Sequence, residues 1–199
     1  MSSPISIDLF VEDRAHEEFL LAMLDRLACE EQKGVIVRAR SARGGHGRAL
    51  SEFSLYQESV LKGFAGMTIP DILVIAIDAN CKPFNTARNE IKTKVNLKFK
   101  ERTILACPDP HIERWYLADP DSLGEIIGVR PKTGRKKCAR DYYKTILSKT
   151  LIDAGYPPTL GGIEFAREIV QAMDLYRAKK TDRSLKHFID DAIAMFRSI

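Results

Sequence analysis

The chain lacks any apolar run near the ~18–20 residues that a membrane span needs, and MSSPISIDLF has neither the basic start nor the apolar core of a signal peptide. A soluble cytoplasmic protein, not a membrane one, is therefore expected. Cysteine is sparse: Cys29, Cys81, Cys107 and Cys138 stand far apart with no C-x-x-C pair. That spacing excludes a zinc-finger pattern and the disulfide framework of a small secreted domain, so reduced thiols are expected. The first strand is not followed by a dinucleotide fingerprint, and no P-loop is present, which argues against a Rossmann-type small-molecule enzyme. Internal repeats and low-complexity tracts are also missing. What is present is ordinary globular material. Of 199 residues, 45% are hydrophobic and 29% charged, enough for a core in one domain or one with a small appendage.

The formal net charge of +4 conceals an asymmetry. Residues 130–150, RPKTGRKKCARDYYKTILSKT, hold eight Lys or Arg against one Asp, a local +7 that leaves −3 for the rest of the chain. A second basic block runs through Lys82, Arg88, Lys92, Lys94, Lys98, Lys100 and Arg102, whereas the first 31 residues are acidic. Basic blocks on an otherwise acidic chain suggest a polyanionic partner, DNA or RNA, with a solvated helix face as the alternative. The expected contacts are Arg135, Lys136, Lys137 and Arg140, joined by Lys144, Lys82, Arg43 and Arg48.

Periodicity supplies the architecture. ISIDLFV alternates Ile5, Ile7, Leu9 and Val11, a strand pattern, and AHEEFLLAMLDRLACEE then switches to helical spacing through Phe19, Met23 and Leu27. GVIVRARSA, DILVIAI and RTILAC read as further strands, separated by helices over GRALSEFSLYQESVLKG and NTARNEIKTKVNLKFK. Strands alternating with helices imply a mostly parallel four-stranded sheet covered on both sides. After Pro108 the chain turns helical, with elements expected around 139–154, 162–179 and 184–198. The last carries Leu185, Phe188, Ile189, Ala192, Ile193 and Phe196 as one amphipathic stripe, able to close the chain's own core or to dock a second copy or another protein. The Gly- and Pro-containing basic stretch at 128–137 divides an α/β domain, 1–128, from a basic helical region, 129–199.

Three strand ends carry acids: Glu12 after the first, Asp78 with Asn80 after the third, and Glu113 just after the fourth. In a parallel sheet these ends share one edge, the usual place for ligands. Oxygen ligands of this kind suit Mg²⁺ or Mn²⁺. Taken singly, each acid is equally a helix cap or turn former.

VEDRAHEEFL, VIAIDAN and HIERWYLAD, each following a strand, together resemble the Toprim superfamily, the metal-dependent catalytic fold of topoisomerases, primases and OLD-type nucleases. They are nearer still to its small stand-alone members from bacterial defence-type systems, whose third motif has an acid just before a Trp and an Ala-Asp pair. The likeness covers residues 5–120, and GGHGRAL resembles the Gly-rich turn of those proteins. It implies a Toprim, Rossmann-like fold and a Mg²⁺- or Mn²⁺-dependent nuclease, an effector working with an ATPase. Glu12 would be a metal ligand or general acid/base, Asp78 and Asn80 would occupy a D-x-D, and Glu113 would complete the site. Relatives usually have Gly after the first Glu and often an acid four residues after it; here Asp13 and His16 stand there, with Glu17 one residue on. Asn80 replaces the second Asp of D-x-D, so a degenerate module that binds nucleic acid or a partner without cleavage is the alternative.

His16 is either a supplementary ligand or a solvent-facing helix residue. His111 could orient Glu113 or meet phosphate. Trp115 and Tyr116 read as core more readily than as base-stacking platforms. Gly44–Gly47 could hold phosphate through backbone N–H groups, or simply turn the chain.

Overall fold

In the computed structural model, which describes residues 3–42, 46–134, 136–139 and 141–199, the alternating segment ISIDLFV forms β1 (Ile5–Val11). Alternation predicts one buried face, but this strand is enclosed on both, because it lies inside the sheet. Its Asp8 is consequently buried, and the Arg38 guanidinium (2.6 Å) and the Tyr56 hydroxyl donate to it. A buried carboxylate needs such partners to offset lost hydration.

β2 (Val35–Ser41), β3 (Ile72–Ala76) and β4 (Thr103–Ala106) complete an all-parallel sheet of order β2-β1-β3-β4. The connections are α1 (Arg14–Glu30), α2 (His46–Leu61) and α3 (Phe84–Thr93), and β4 is followed by α4 (Glu113–Tyr116) and α5 (Pro120–Ile127). This is the α/β, Rossmann-like fold expected. Because β2 and β3 flank β1 on opposite sides, the topological switch point falls between β1 and β3, where a crevice opens at the strand ends. Val11 is in register with Ala76, so the residues that follow each strand emerge side by side.

The strand period of two divides the core. Phe10, Leu73, Ile75 and Leu105 pack with Phe53 and Ile91 under α2 and α3. Ile7, Leu9, Val74 and Ile104 belong instead to the cluster that includes Phe19, Leu20 and Met23 of α1. That cluster also takes in α6 (Tyr142–Asp153), α7 (Ala166–Ala172) and α9 (Arg183–Ser198), through Leu147, Ile169, Leu185, Phe188 and Phe196 among others. Residues beyond 128 thus supply part of the sheet's own core, and the α9 stripe closes that core.

Two expected helices are shorter than their patterns. The basic helix stops at Thr93; buried Gln57 donates to Lys94 O (2.9 Å) and accepts from Asn96 N–H (2.7 Å), and Asn96 caps a 3₁₀ segment, Leu97–Arg102. The helix expected over 162–179 is a 3₁₀ turn, Ile163–Phe165, followed by α7 and α8 (Leu175–Thr181). Met173 leaves helical geometry there, and Asp174 caps α8 while donating its own N–H to Asp119 (2.8 Å). Among the described residues no helix is long and apolar enough to cross a membrane.

Candidate metal centre

The centre is built at the switch point. Glu12 follows β1, its N–H donating to Ala76 O (3.0 Å), and its carboxylate accepts from Asp78 N–H (3.2 Å). Asp13 is the N-cap of α1, in extended conformation, and its Oδ1 accepts from both the backbone N–H (3.1 Å) and ring Nδ1 (2.8 Å) of His16. The second ring nitrogen, Nε2, lies 3.0 Å from Asp78 Oδ1. Asp78 Oδ2 in turn meets His111 Nδ1 at 3.2 Å. One carboxylate, from β3's end, is therefore held between two imidazoles. Ligand atoms of Glu12, His16 and Asp78 all lie within 4.8 Å of one another, close enough to hold one metal ion.

Asp78 also lines a cavity of about 470 Å³ with Asn80, His111, Glu113, Asp141 and Lys144. Glu113 opens the single turn α4 (Glu113–Tyr116), and that turn is fixed from behind. The Trp115 indole N–H donates to Ser184 Oγ (2.8 Å), and the Tyr116 hydroxyl donates to Ala15 O (2.9 Å). Both aromatics are fully buried against Phe19, so they position the acid and offer no face to a base.

The charges are strongly coupled. Desolvation works to raise the Asp13 carboxyl, yet the hydrogen bond and charge of His16 prevail and hold it at about 2. Burial disfavours a charged His16, but Asp78 and Asp13 outweigh it and raise the ring well above its ordinary value. The hydrogen bond to Asp78 raises His111. Burial, with Asp78 adding to it, pushes Glu113 up. An acid cluster that attracts positive charge this strongly is chemically suited to a cation.

A family model described as a domain of unknown function, DUF4276, matches residues 11–191. The chain belongs to the DUF4276 family. No curated protein and no solved structure matches it. The matched span takes in every member of the centre, from Glu12 to Glu113, and reaches into α9.

Of the strand-end residues in this DUF4276 chain, Glu12 and Asp78 fall in the cluster with His16, whereas Glu113 and the amide Asn80 lie on the cavity wall outside it. Asn80 sits in left-handed backbone and its amide donates to Asp78 O (3.3 Å). Glu17, in the first turn of α1, belongs neither to the cluster nor to the cavity lining. His16 takes the part that the spacing leaves open between ligand and solvent, being wholly buried. Asp141, which lines the cavity 63 residues after Asp78 in a different helix start, carries no sequence signal for this role.

The described basic residues take different partners. Lys144 lines the cavity, Lys137 bridges to Asp109 (2.8 Å), and Lys136 sits over the Tyr142 ring at 5.2 Å. Lys82 pairs with Glu90 (2.5 Å) and Arg48 with Glu52 (2.7 Å). Arg43, Arg135 and Arg140, with Gly44 and Gly45, lie outside the described residues.

Proposed function

We propose that this DUF4276 protein is a metal-dependent nuclease of Toprim type, cleaving phosphodiester bonds in DNA or RNA. The observation that carries this reading is the convergence of Glu12, His16 and Asp78 within 4.8 Å at the switch point, beside a cavity walled by Glu113. The donor set fits a divalent cation. Two carboxylates neutralise it, and the imidazole favours Mn²⁺ over Mg²⁺, since nitrogen ligands suit the later metals better than the hard alkaline earths.

A bound ion would polarise the phosphoryl oxygens and generate hydroxide near neutral pH. The chain's own residues supply the remainder. Asp13 fixes the His16 ring by accepting its Nδ1–H, which aims Nε2 at the centre, where a cation would have to displace the Nε2 proton that faces Asp78. His111 holds the second oxygen of Asp78. Glu113, whose carboxyl burial favours in its protonated form, can give a proton to the leaving oxygen from the facing wall.

A substrate path also supports the reading. The cavity shares Asp141 and Lys144 with a neighbouring one of about 440 Å³ along α6, lined by Thr145, Ser148 and Lys149. Lysines and hydroxyls in a groove leading from a cation centre suit a phosphate backbone.

The test is metal-titrated cleavage of labelled single- and double-stranded DNA and RNA by pure protein. Asp78→Ala, Glu12→Gln and Glu113→Gln should each abolish turnover with the fold and nucleic-acid binding retained. Asn80→Asp should shift the Mn²⁺ dependence to lower concentration. Absence of cleavage together with absence of Mn²⁺ binding refutes the reading and leaves a non-catalytic Toprim-like module.

A further inference from the structure

The four cysteines divide into three settings. Cys29 is exposed in the last turn of α1. Cys107, after β4, is buried, and that burial, with Asp78 and Asp109 nearby, pushes its thiol up to about 12. Cys81 and Cys138 differ from both: they are exposed, yet both line the acidic cavity.

Hydrogen bonds independent of sulfur bring them there. Ala79 N–H donates to Pro108 O (2.8 Å) and Asn80 N–H to Pro110 O (2.9 Å), which fastens the loop after β3 to the loop after β4. Lys137 Nζ then reaches Asp109 Oδ1 of that second loop at 2.8 Å. The residues next in sequence to Asn80 and Lys137 are Cys81 and Cys138, which therefore both stand on the lining of one cavity, where the neighbouring Cys138 raises the Cys81 thiol. Residues 57 positions apart are thus neighbours because three loops are tied at one place.

We propose that Cys81 and Cys138 form a reversible dithiol–disulfide pair at the mouth of the acidic cavity, a modification site whose reactant is a low-molecular-weight disulfide. One thiolate attacks a sulfur of the reactant RSSR, forming a mixed disulfide and releasing RS⁻. The other cysteine then attacks the mixed disulfide at the protein sulfur and expels the second RS⁻. The two thiol protons leave with the two RS⁻ as RSH, so the pair loses two electrons and RSSR gains them. Two side chains on the lining of one cavity, brought there by tied loops, need only a local approach to the S–S length of about 2 Å. Neither partner is buried in the core, so the approach disturbs little packing. The product would tie the stretch leading into α6 to the loop that carries Asp78 and Asn80. Its formation does not depend on metal binding or on nuclease activity.

The full-length protein is incubated with oxidised glutathione, quenched with N-ethylmaleimide, and digested without reduction for peptide mass spectrometry. The expected product is one intramolecular Cys81–Cys138 link, with complete loss of maleimide labelling at both positions and its recovery after dithiothreitol. Cys81→Ser should leave Cys138 carrying a persistent glutathione adduct, since nothing remains to resolve it, and Cys138→Ser should do the reverse at Cys81. Circular dichroism verifies that both variants are folded. Separate glutathione adducts on Cys81 and Cys138 in the parent protein overturn the proposal. So does unchanged maleimide labelling at the two positions, or a link that forms only between two chains.

Discussion

Asp13→Asn separates two jobs that one carboxylate performs. Asp13 Oδ1 caps α1 through the His16 N–H and orients the His16 ring through Nδ1. Asparagine is as good an N-cap as aspartate, so the helix start should survive with a change of no more than a few tenths of a kcal/mol. The charge that steadies the ring as a ligand is lost. Removing an outer-shell partner of a ligating histidine costs about 10–100-fold in metal affinity. The Asp13 side chain is 56% exposed, so water partly screens its charge and the effect should lie near the tenfold end, or about 1.4 kcal/mol. Asp13→Ala loses both functions, adding about 1 kcal/mol of instability from the missing cap. Calorimetric Mn²⁺ titration measures the first quantity and urea unfolding of the metal-free protein the second. The reasoning fails if Asp13→Asn binds Mn²⁺ as the parent does, because Asp13 would then be only a cap.

Phe188→Ala should lower stability by about 3–5 kcal/mol, because the ring is fully buried and stacks on Trp115 at 5.4 Å. Urea unfolding followed by tryptophan fluorescence and circular dichroism should still give one coincident transition; two separated transitions would mean that the C-terminal helices fold apart from the sheet. Asp119 accepts from Arg177 Nε and Nη2 (both 3.1 Å) and from Asp174 N–H (2.8 Å); burial opposes its charge, but these partners hold its carboxyl below the ordinary range. A folded value below the unfolded one of about 3.9 contributes stability that is present above that pH and lost as pH falls through the folded value. Asp119→Asn should therefore cost about 1–2 kcal/mol at neutral pH, the modest end because Arg177 is half-exposed. The gap between parent and variant in thermal melts should close as the pH is lowered beneath 4; a gap that persists there is inconsistent with an ionised Asp119.

The fold was legible wherever a pattern was local. Six consecutive apolar residues from Ile72 to Ile77 mark a strand buried on both faces, and all six are buried. β1 was legible as a strand but not as an interior one, because Asp8 interrupts its inner face and the residues that donate to it, Arg38 and Tyr56, come from distant segments. The broken helices show the same limit. Asn96 is a local cap signal for the segment that follows, but the turn before it is held by Gln57, 37 residues away from Lys94, binding both sides. Amphipathic spacing in α9 fixed which face is apolar, but only the packing says that Trp115 and the sheet cover it.

The centre depends on adjacency, which is a property of strand order. A parallel sheet puts Glu12, Asp78 and Glu113 on one edge whatever the order, but a shared ion needs β1 beside β3. That follows only because β2 pairs with the opposite side of β1. His16 had a local signal of its own: an acid at the N-cap with a polar residue three positions on is the spacing at which side chain and backbone exchange hydrogen bonds at a helix start. Asp13 and His16 have that spacing, but the imidazole donates to the cap's side-chain oxygen, where a capping-box glutamate would accept from the cap's backbone N–H. Its other nitrogen then points past the helix end, toward whatever the neighbouring strand presents. Here that is Asp78, so a departure from the acid expected at position 16 still leaves an atom that could ligate a metal beside Asp78. By the same logic Asn80 is the weaker substitution. Its amide nitrogen is turned back onto Asp78 O, and an uncharged oxygen is the most it can offer a cation. On the proposed reading, the difference between the two substitutions makes activity depend on Glu12, His16 and Asp78 more than on Asn80.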